Sequence, residues 1–241
     1  MSNRHQSIEK QAVNYFQADY SSEVIRSLVV KERLTLWQVS SKCCVVVKRT
    51  MDIVISFVML LILMPLFLIV AVLIRLESPG SVLFSQTRVG MYGKPFRFWK
   101  FRSMRMDAEQ TKNQLKENAM SHGVRFKLKQ DPRVTRMGAF IRKYSIDELP
   151  QLWNVLIGDM SLVGPRPALP SEVSAYDLAD KQRLSVMPGI TCIWQVSGRS
   201  DIPFKQQVSL DIKYKLSQSI WQDIKLLFLT IPAVVLGKGA Y

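Results

Sequence analysis

Asp147 and Glu148 are adjacent carboxylates within the stretch Arg142–Pro167, RKYSIDELPQLWNVLIGDMSLVGPRP. Leu149, Leu152, Trp153 and Leu156 follow at i, i+3, i+4 and i+7, the pattern of one buried helix face. Ser145 and Glu148 have the spacing of a capping box. Pro150 moves the expected start nearer Asp147, because proline is tolerated in a first turn and not deeper. Either start sets both carboxylates at a helix N-terminus. There the helix dipole favours the ionised form, and free N–H groups can bind phosphate oxygens. An ionised Asp beside a phosphate site, with Arg142 nearby, is what nucleophilic attack on phosphorus requires. An ordinary N-cap with a solvated Glu accounts for the same spacing without chemistry. Downstream, Pro165-Arg166-Pro167 is a stiff loop that presents one arginine.

Other cations can reach such a site only if the fold brings them there. Val82–Val89 and Pro95–Met104 flank a Gly-containing loop and read as a β-hairpin. Strand alternation then places Phe96, Phe98, Lys100 and Arg102 on one face. Two apolar residues followed by two cations suit a strand running from a core to an anionic site, and also suit a solvated basic edge. Arg136–Tyr144 is a short basic amphipathic segment leading into the central helix. Met106–Ser121 and Ser171–Ser185 read as exposed helices, Val196–Pro203 as a polar loop carrying Arg199, and Phe204–Ser217 as an amphipathic helix. Ile220–Leu236 is apolar but interrupted by Asp223, Lys225 and Pro232, so a helix lying in a membrane interface fits better than a span.

Ile53–Ile74 holds twenty-two residues without a charge. As a straight helix it would be about 33 Å long, enough to span a hydrocarbon core of about 30 Å. Pro65 sits in its middle and would kink it. Basic residues lie on both sides, so the positive-inside rule sets no direction. A spanning helix and a helix bent at Met64-Pro65 that re-enters the same face both remain open.

The net charge of +14 favours anionic partners: nucleic acid, acidic lipid headgroups or phosphorylated substrates. Cys43, Cys44 and Cys192 show no C-x-x-C spacing, and only His5 and His122 could join them, which argues against a zinc site. An odd cysteine count gives no disulfide framework and fits a reducing compartment. No stretch interleaves aromatic and basic residues as a known nucleic-acid module does.

The run Gly158–Pro167 resembles the signature of the bacterial sugar transferase family, small monotopic phosphoglycosyl transferases. So do Lys100-Phe101-Arg102-Ser103-Met104, Asp131-Pro132-Arg133-Val134-Thr135, Pro188-Gly189-Ile190-Thr191, Trp194–Arg199 and Gly237–Tyr241, in the family's order. The resemblance covers about Lys48 to Tyr241. It implies an α+β, mainly helical fold: one compact cytosolic domain, a short β-hairpin, interfacial amphipathic helices and a re-entrant membrane helix kinked at Pro65. The expected divisions are an arm over 1–47, a membrane helix over 48–75 and a catalytic domain over 76–241. The implied reaction moves a hexose-1-phosphate from a UDP-sugar to undecaprenyl phosphate through a covalent Asp147 intermediate. Glu148 assists, UMP leaves, and Mg²⁺ on Asp147 offsets the diphosphate charge. Arg142 is the candidate for the lipid phosphate; Lys100, Arg102, Arg166 and Arg199 are candidates for the nucleotide sugar. The resemblance further implies the cytosolic face of a bacterial inner membrane, membrane lipids as surroundings and no nucleic acid. A homodimer and downstream glycosyltransferases are the further partners it suggests. The end Gly237–Tyr241 leans toward galactose or glucose as the sugar. Two other readings start from the same residues: a lipid phosphohydrolase using Asp147 with water as acceptor, and a non-enzymatic basic module at a membrane surface.

Overall fold

The computed structural model describes residues 44–108 and 131–236. Residues 1–43 of the arm expected over 1–47, nearly all of the helix expected at Met106–Ser121 and the end Gly237–Tyr241 lie outside the described residues, while 44–47 belong to the first helix. The folded body is the unit Arg49–Tyr241.

Helix α1 runs from Cys44 to Glu77, starting nine residues before the uncharged run, and stays helical through Pro65. It is long and apolar enough to cross a membrane, and only 11% of its most hydropathic window is buried inside the protein. Leu61, Ile62, Leu68 and Ile69 are among its many exposed residues. Its other face is fastened to the body along its length. Arg49 donates to the carbonyls of Val155 at 2.6 Å and Leu156 at 2.9 Å, and Asp52 accepts the Leu162 N–H at 3.0 Å. Ile55, Met59, Leu60 and Leu63 pack on one core cluster; Leu66 and Phe67 pack on a second. Phe67 meets Phe101 edge-on, ring centroids 5.3 Å apart, a geometry contributing about 1 kcal/mol beyond area burial.

Strands β1 (Leu83–Val89) and β2 (Pro95–Phe101) form the expected antiparallel hairpin, joined by a 3₁₀ turn at Met91–Gly93. Helix α2 (Arg136–Lys143) follows, N-capped by the Thr135 side chain. A 3₁₀ turn, Ile146–Glu148, leads into α3 (Gln151–Ile157). Two short parallel strands, β3 (Ser161–Val163) and β4 (Gly189–Thr191), flank the loop that contains Arg166. They approach so closely that a Cβ on Gly189 would lie 2.1 Å from the Gly164 nitrogen. Between them lie α4 (Pro170–Val173) and a 3₁₀ segment, Asp180–Ser185. Helices α5 (Ile193–Ser197), α6 (Phe204–Ser217) and α7 (Ile220–Leu236) complete the chain. The architecture is mainly helical.

The first core cluster joins Phe98, Leu152, Val155, Met160, Leu162, Val163, Tyr214 and Leu226; the second joins Val70, Ile74, Phe101 and Ile141. Tyr214 ties α6 and α7 to β3, its hydroxyl donating to the Asp223 carboxylate at 2.7 Å and standing 3.1 Å from the Val163 carbonyl. On α7, Trp221, Phe228, Ile231, Val235 and Leu236 are exposed while Asp223 and Leu226 are buried.

Three local expectations need correction. The capping box is absent: Ser145 makes no side-chain cap and sits in the left-handed region at φ 55°, while Glu148 binds an arginine instead. The buried face of α3 is Gln151, Leu152, Asn154 and Val155, and Trp153 is 51% exposed. The 3₁₀ turn shifts the phase of the helix, and two buried amides take places that the apolar period assigns to Trp153 and Leu156. Ser171–Ser185 is not one exposed helix. The Asp177 carboxylate accepts the Asp180 N–H at 2.7 Å, closing a turn that competes with helix, and Tyr176 and Arg183 are buried.

Candidate active site

The 3₁₀ turn after Ser145 aims two neighbouring carboxylates into different surroundings. Asp147 is 5% exposed, with its Oδ2 3.9 Å from the Lys100 ammonium. Glu148 is gripped by both guanidinium nitrogens of Arg166, at 2.6 and 3.3 Å. Such a two-pronged pair fixes direction as well as charge. Burial pushes the Asp147 carboxyl up to about 6, with Lys100 pulling against it and Glu148 adding to it. Burial also acts upward on Glu148, but the Arg166 charge and hydrogen bonds outweigh it and hold that carboxyl at about 2. Around neutral pH both are ionised. Asp147 is the more basic of the two.

Lys100 reaches the dyad from β2. Burial lowers its pKa, opposed by Asp147 and Glu148. Its ammonium also lies 5.8 Å from the Phe98 ring centroid, so the expected strand face runs from a buried aromatic to a cation at the site. Arg166 is held above its ordinary range by Glu148, against the effect of burial. Its backbone carbonyl accepts from Arg183 at 3.1 Å. Arg142 leaves α2 toward the site, its Nε donating to Ser103 Oγ at 2.8 Å, and its charge acts on Asp147. That approach depends on Gly138, where a Cβ would lie 2.0 Å from the Ser103 carbonyl oxygen. Arg199 follows Gly198 in a short 3₁₀ turn at φ 53°. Burial lowers its pKa, and the Glu148 charge acts against that.

Arg102 does not join this group. It lies one residue past β2, buried, and donates to the carbonyls of Pro79 at 2.9 Å and Ser78 at 2.5 Å. Its guanidinium secures the turn after α1. Arg88, absent from the sequence-derived site, comes close instead. It stacks 5.2 Å from the Phe98 centroid, donates to the Pro167 carbonyl at 3.2 Å, and its charge acts on Lys100 and Glu148. The signal was available: Arg88 pairs with Phe96 across the hairpin, so alternation sets it on the face of Phe96, Phe98 and Lys100. Gln151 is a second omission. Its buried Nε2 has no hydrogen-bond partner among the described residues, four positions after Asp147.

The result is a buried carboxylate and a clamped carboxylate facing Lys100, Arg166, Arg142, Arg199 and Arg88, beside an exposed apolar helix. Residues 43–237 match the family described as bacterial sugar transferase. The chain belongs to the bacterial sugar transferase family. Among its relatives, the galactosyl transferase CpsE of Streptococcus agalactiae is 50% identical over 196 residues, covering 81% of this chain and 43% of that protein. The exopolysaccharide production protein ExoY of Sinorhizobium fredii is 39% identical over 198 residues, covering 80% and 88%. The UDP-glucose:undecaprenyl-phosphate glucose-1-phosphate transferase of Escherichia coli is 40% identical over 203 residues, covering 80% and 41%. This sugar transferase chain thus spans less than half of two of these relatives and most of the third.

Proposed function

We propose that the protein moves a hexose-1-phosphate from a UDP-sugar to undecaprenyl phosphate at a membrane surface, releasing UMP and starting exopolysaccharide-type glycan assembly. The observation that carries this reading is Asp147: buried, 3.9 Å from Lys100, beside a carboxylate that Arg166 holds still. The relatives' names, which specify galactosyl transfer, exopolysaccharide production, and UDP-glucose with undecaprenyl phosphate, support the substrate class. Galactose and glucose donors are the first to screen.

In this reading an Asp147 carboxylate oxygen attacks the β-phosphorus of the donor. The bond from that phosphorus to the bridging oxygen breaks, and UMP leaves with the electron pair. The phosphosugar stays on Asp147 as an acyl phosphate until an oxygen of undecaprenyl phosphate attacks the same phosphorus and frees the carboxylate. One difficult displacement between anions becomes two in-line steps. Lys100, Arg166 and Arg199 hold donor phosphates, and Arg142 takes the lipid phosphate. Arg88 joins the donor side, and Arg102 is assigned to the scaffold. Glu148, fixed by Arg166, orients the reacting groups.

Among the described residues no group of three or more His, Cys, Asp or Glu could cage a metal. Two adjacent carboxylates nevertheless suit Mg²⁺, which commonly takes one or two protein carboxylates and completes its shell with substrate phosphates and water. Asp147 would hold it with Glu148 alongside, and the bound ion would offset diphosphate charge.

The anchoring of α1 supports a re-entrant over a spanning arrangement, and the cytosolic face of the inner membrane enters the proposal from the family resemblance alone. Arg49 and Asp52 near one end, and Phe67, Val70 and Ile74 near the other, contact the same folded body. A helix crossing the bilayer would carry one of those ends away from it.

The test uses the full chain in nanodiscs with Mg²⁺ and UDP-galactose or UDP-glucose labelled in the sugar, without lipid acceptor. UMP should appear at up to about one equivalent, with the label on a peptide containing Asp147, as a covalent intermediate demands. Added undecaprenyl phosphate should then carry the label away. Phosphate release from undecaprenyl phosphate without donor, or no release of either product, refutes the reading.

A further inference from the structure

Asn154 is fully buried on α3, seven residues after Asp147. Its Nδ2 donates to the Arg97 carbonyl at 2.6 Å and to Asp159 Oδ2 at 3.2 Å, while its Oδ1 accepts the Trp99 N–H at 3.2 Å. Arg97 and Trp99 lie on β2, whose opposite edge is paired with β1. The amide therefore stands where the peptide of a third strand would stand. Its orientation is determined, since the flipped amide would set a donor against the Trp99 N–H and an acceptor against two oxygens. The Asn154 backbone carbonyl in turn accepts from the N–H groups of Gly158, Asp159 and Met160, ending the helix at that point.

We propose that Asn154 is a positioning residue for phosphosugar transfer, a clamp that sets the strand carrying Lys100 at a fixed register against the helical segment carrying Asp147. The inference rests on the reading of Asp147 as nucleophile. Lys100 is the residue after Trp99, so the clamp acts one peptide away from the cation it places. A loop closes through the site: Asp147, two turns of helix, the Asn154 amide, Trp99, Lys100, and back across 3.9 Å to Asp147. An apolar side chain of similar size would fill the same space and leave β2 free to slide, because packing alone is non-directional. The two bonds to Arg97 and Trp99 specify register, and both fail if the strand shifts, while the third, to Asp159, holds the amide in place. The need is large, since a misplacement of about 1 Å in a catalytic constellation can cost roughly 100-fold in rate.

The experiment compares the full chain with Asn154→Ser and Asn154→Asp in nanodiscs, reading Lys100 directly. Competitive acetylation at one fixed pH, quantified by peptide mass spectrometry with Lys181 and Lys213 as internal references, reports the surroundings of Lys100 without any substrate. In both variants Lys100 should change its acetylation rate several-fold as it leaves its place beside Asp147, while the two references stay unchanged. Turnover should fall roughly 10-fold or more, with little change in KM for the UDP-sugar. A Lys100 rate identical to wild type in Asn154→Ser overturns the clamp, as does an equal change at all three lysines. For variants that do not fold, hydrogen exchange in the wild-type protein decides: the Trp99 amide should be protected, and free exchange there refutes the proposal. The labelling result stands whether or not UDP-sugar is the donor, so failure of the clamp and failure of the transferase reading are distinguishable.

Discussion

Asp147→Asn should abolish transfer and yet make the protein more stable at neutral pH. Burial raises the Asp147 carboxyl from 3.8 to about 6 in the folded protein. A carboxyl whose folded pKa lies above its unfolded value favours the fold while it is protonated. That stabilisation is complete below about pH 3.8 and is lost as pH rises through about 6. The shift of roughly two units, at about 1.4 kcal/mol each, means that ionised Asp147 costs the fold about 3 kcal/mol at pH 8. Asparagine has the shape of the protonated acid and never ionises, so the variant escapes that cost. Chemical denaturation in matched nanodiscs should show Asp147→Asn more stable by up to about 3 kcal/mol at pH 8, with the gap closing toward pH 4. Wild-type activity should fall on the acid side with a midpoint near 6, as the nucleophile gains a proton. A gap between variant and wild type that is the same at both pH values, or a variant less stable than wild type at pH 8, would show that Asp147 is not held against its ionisation.

Arg166→Lys keeps a charge opposite Glu148 but replaces two parallel contacts by one. Turnover should drop roughly 10-fold or more with a stability change under about 2 kcal/mol, measured by steady-state UMP release and denaturation. Near-normal turnover would make the proline-flanked loop purely structural. For topology, single cysteines at Gln17 and Gln110 should both be labelled only from the cytosolic side in intact cells. Labelling of the Gln17 position from outside would restore a spanning α1.

Elements with a strong local signal were legible: the hairpin, α2, α6, α7 and the long apolar helix all occur where pattern and turn residues put them. The carboxylate pair, Lys100 and Arg166 were singled out through the family resemblance, since their spacing alone fits an ordinary helix cap, and the fold does bring the four together. Arg102 was misplaced for a physical reason. Alternation continues only while the strand does, and β2 ends at Phe101, so the next side chain obeys the turn it meets. Asn154, Gln151 and Arg183 were invisible because periodicity counts apolar residues. A buried amide or guanidinium at a core position reads as a gap in the pattern. The partners that make such burial tolerable, such as Asp211 for Arg183, are distant in sequence.

The two carboxylates show why adjacency in sequence does not imply equivalence in the site. Their backbones share one 3₁₀ turn, and both are removed from water, which alone would raise both pKa values. What separates them is the partner. Glu148 meets a guanidinium on a loop stiffened by Pro165 and Pro167 and anchored through its carbonyl to buried Arg183, so the Arg166 fork is already in place. Asp147 meets one ammonium at 3.9 Å, near enough to attract and too far for a close hydrogen bond. One acid is thereby spent on structure and kept charged. Its neighbour retains a more basic oxygen that is not committed to a short contact, which is the property a nucleophile toward phosphorus needs. Shortening the Lys100 contact would lower the Asp147 pKa and quench that oxygen, whereas lengthening it would raise that pKa and leave less of the carboxylate ionised. The separation between β2 and the dyad turn is therefore bounded on both sides. That is why a rigid polar clamp such as Asn154 serves the site better than apolar packing of the same volume.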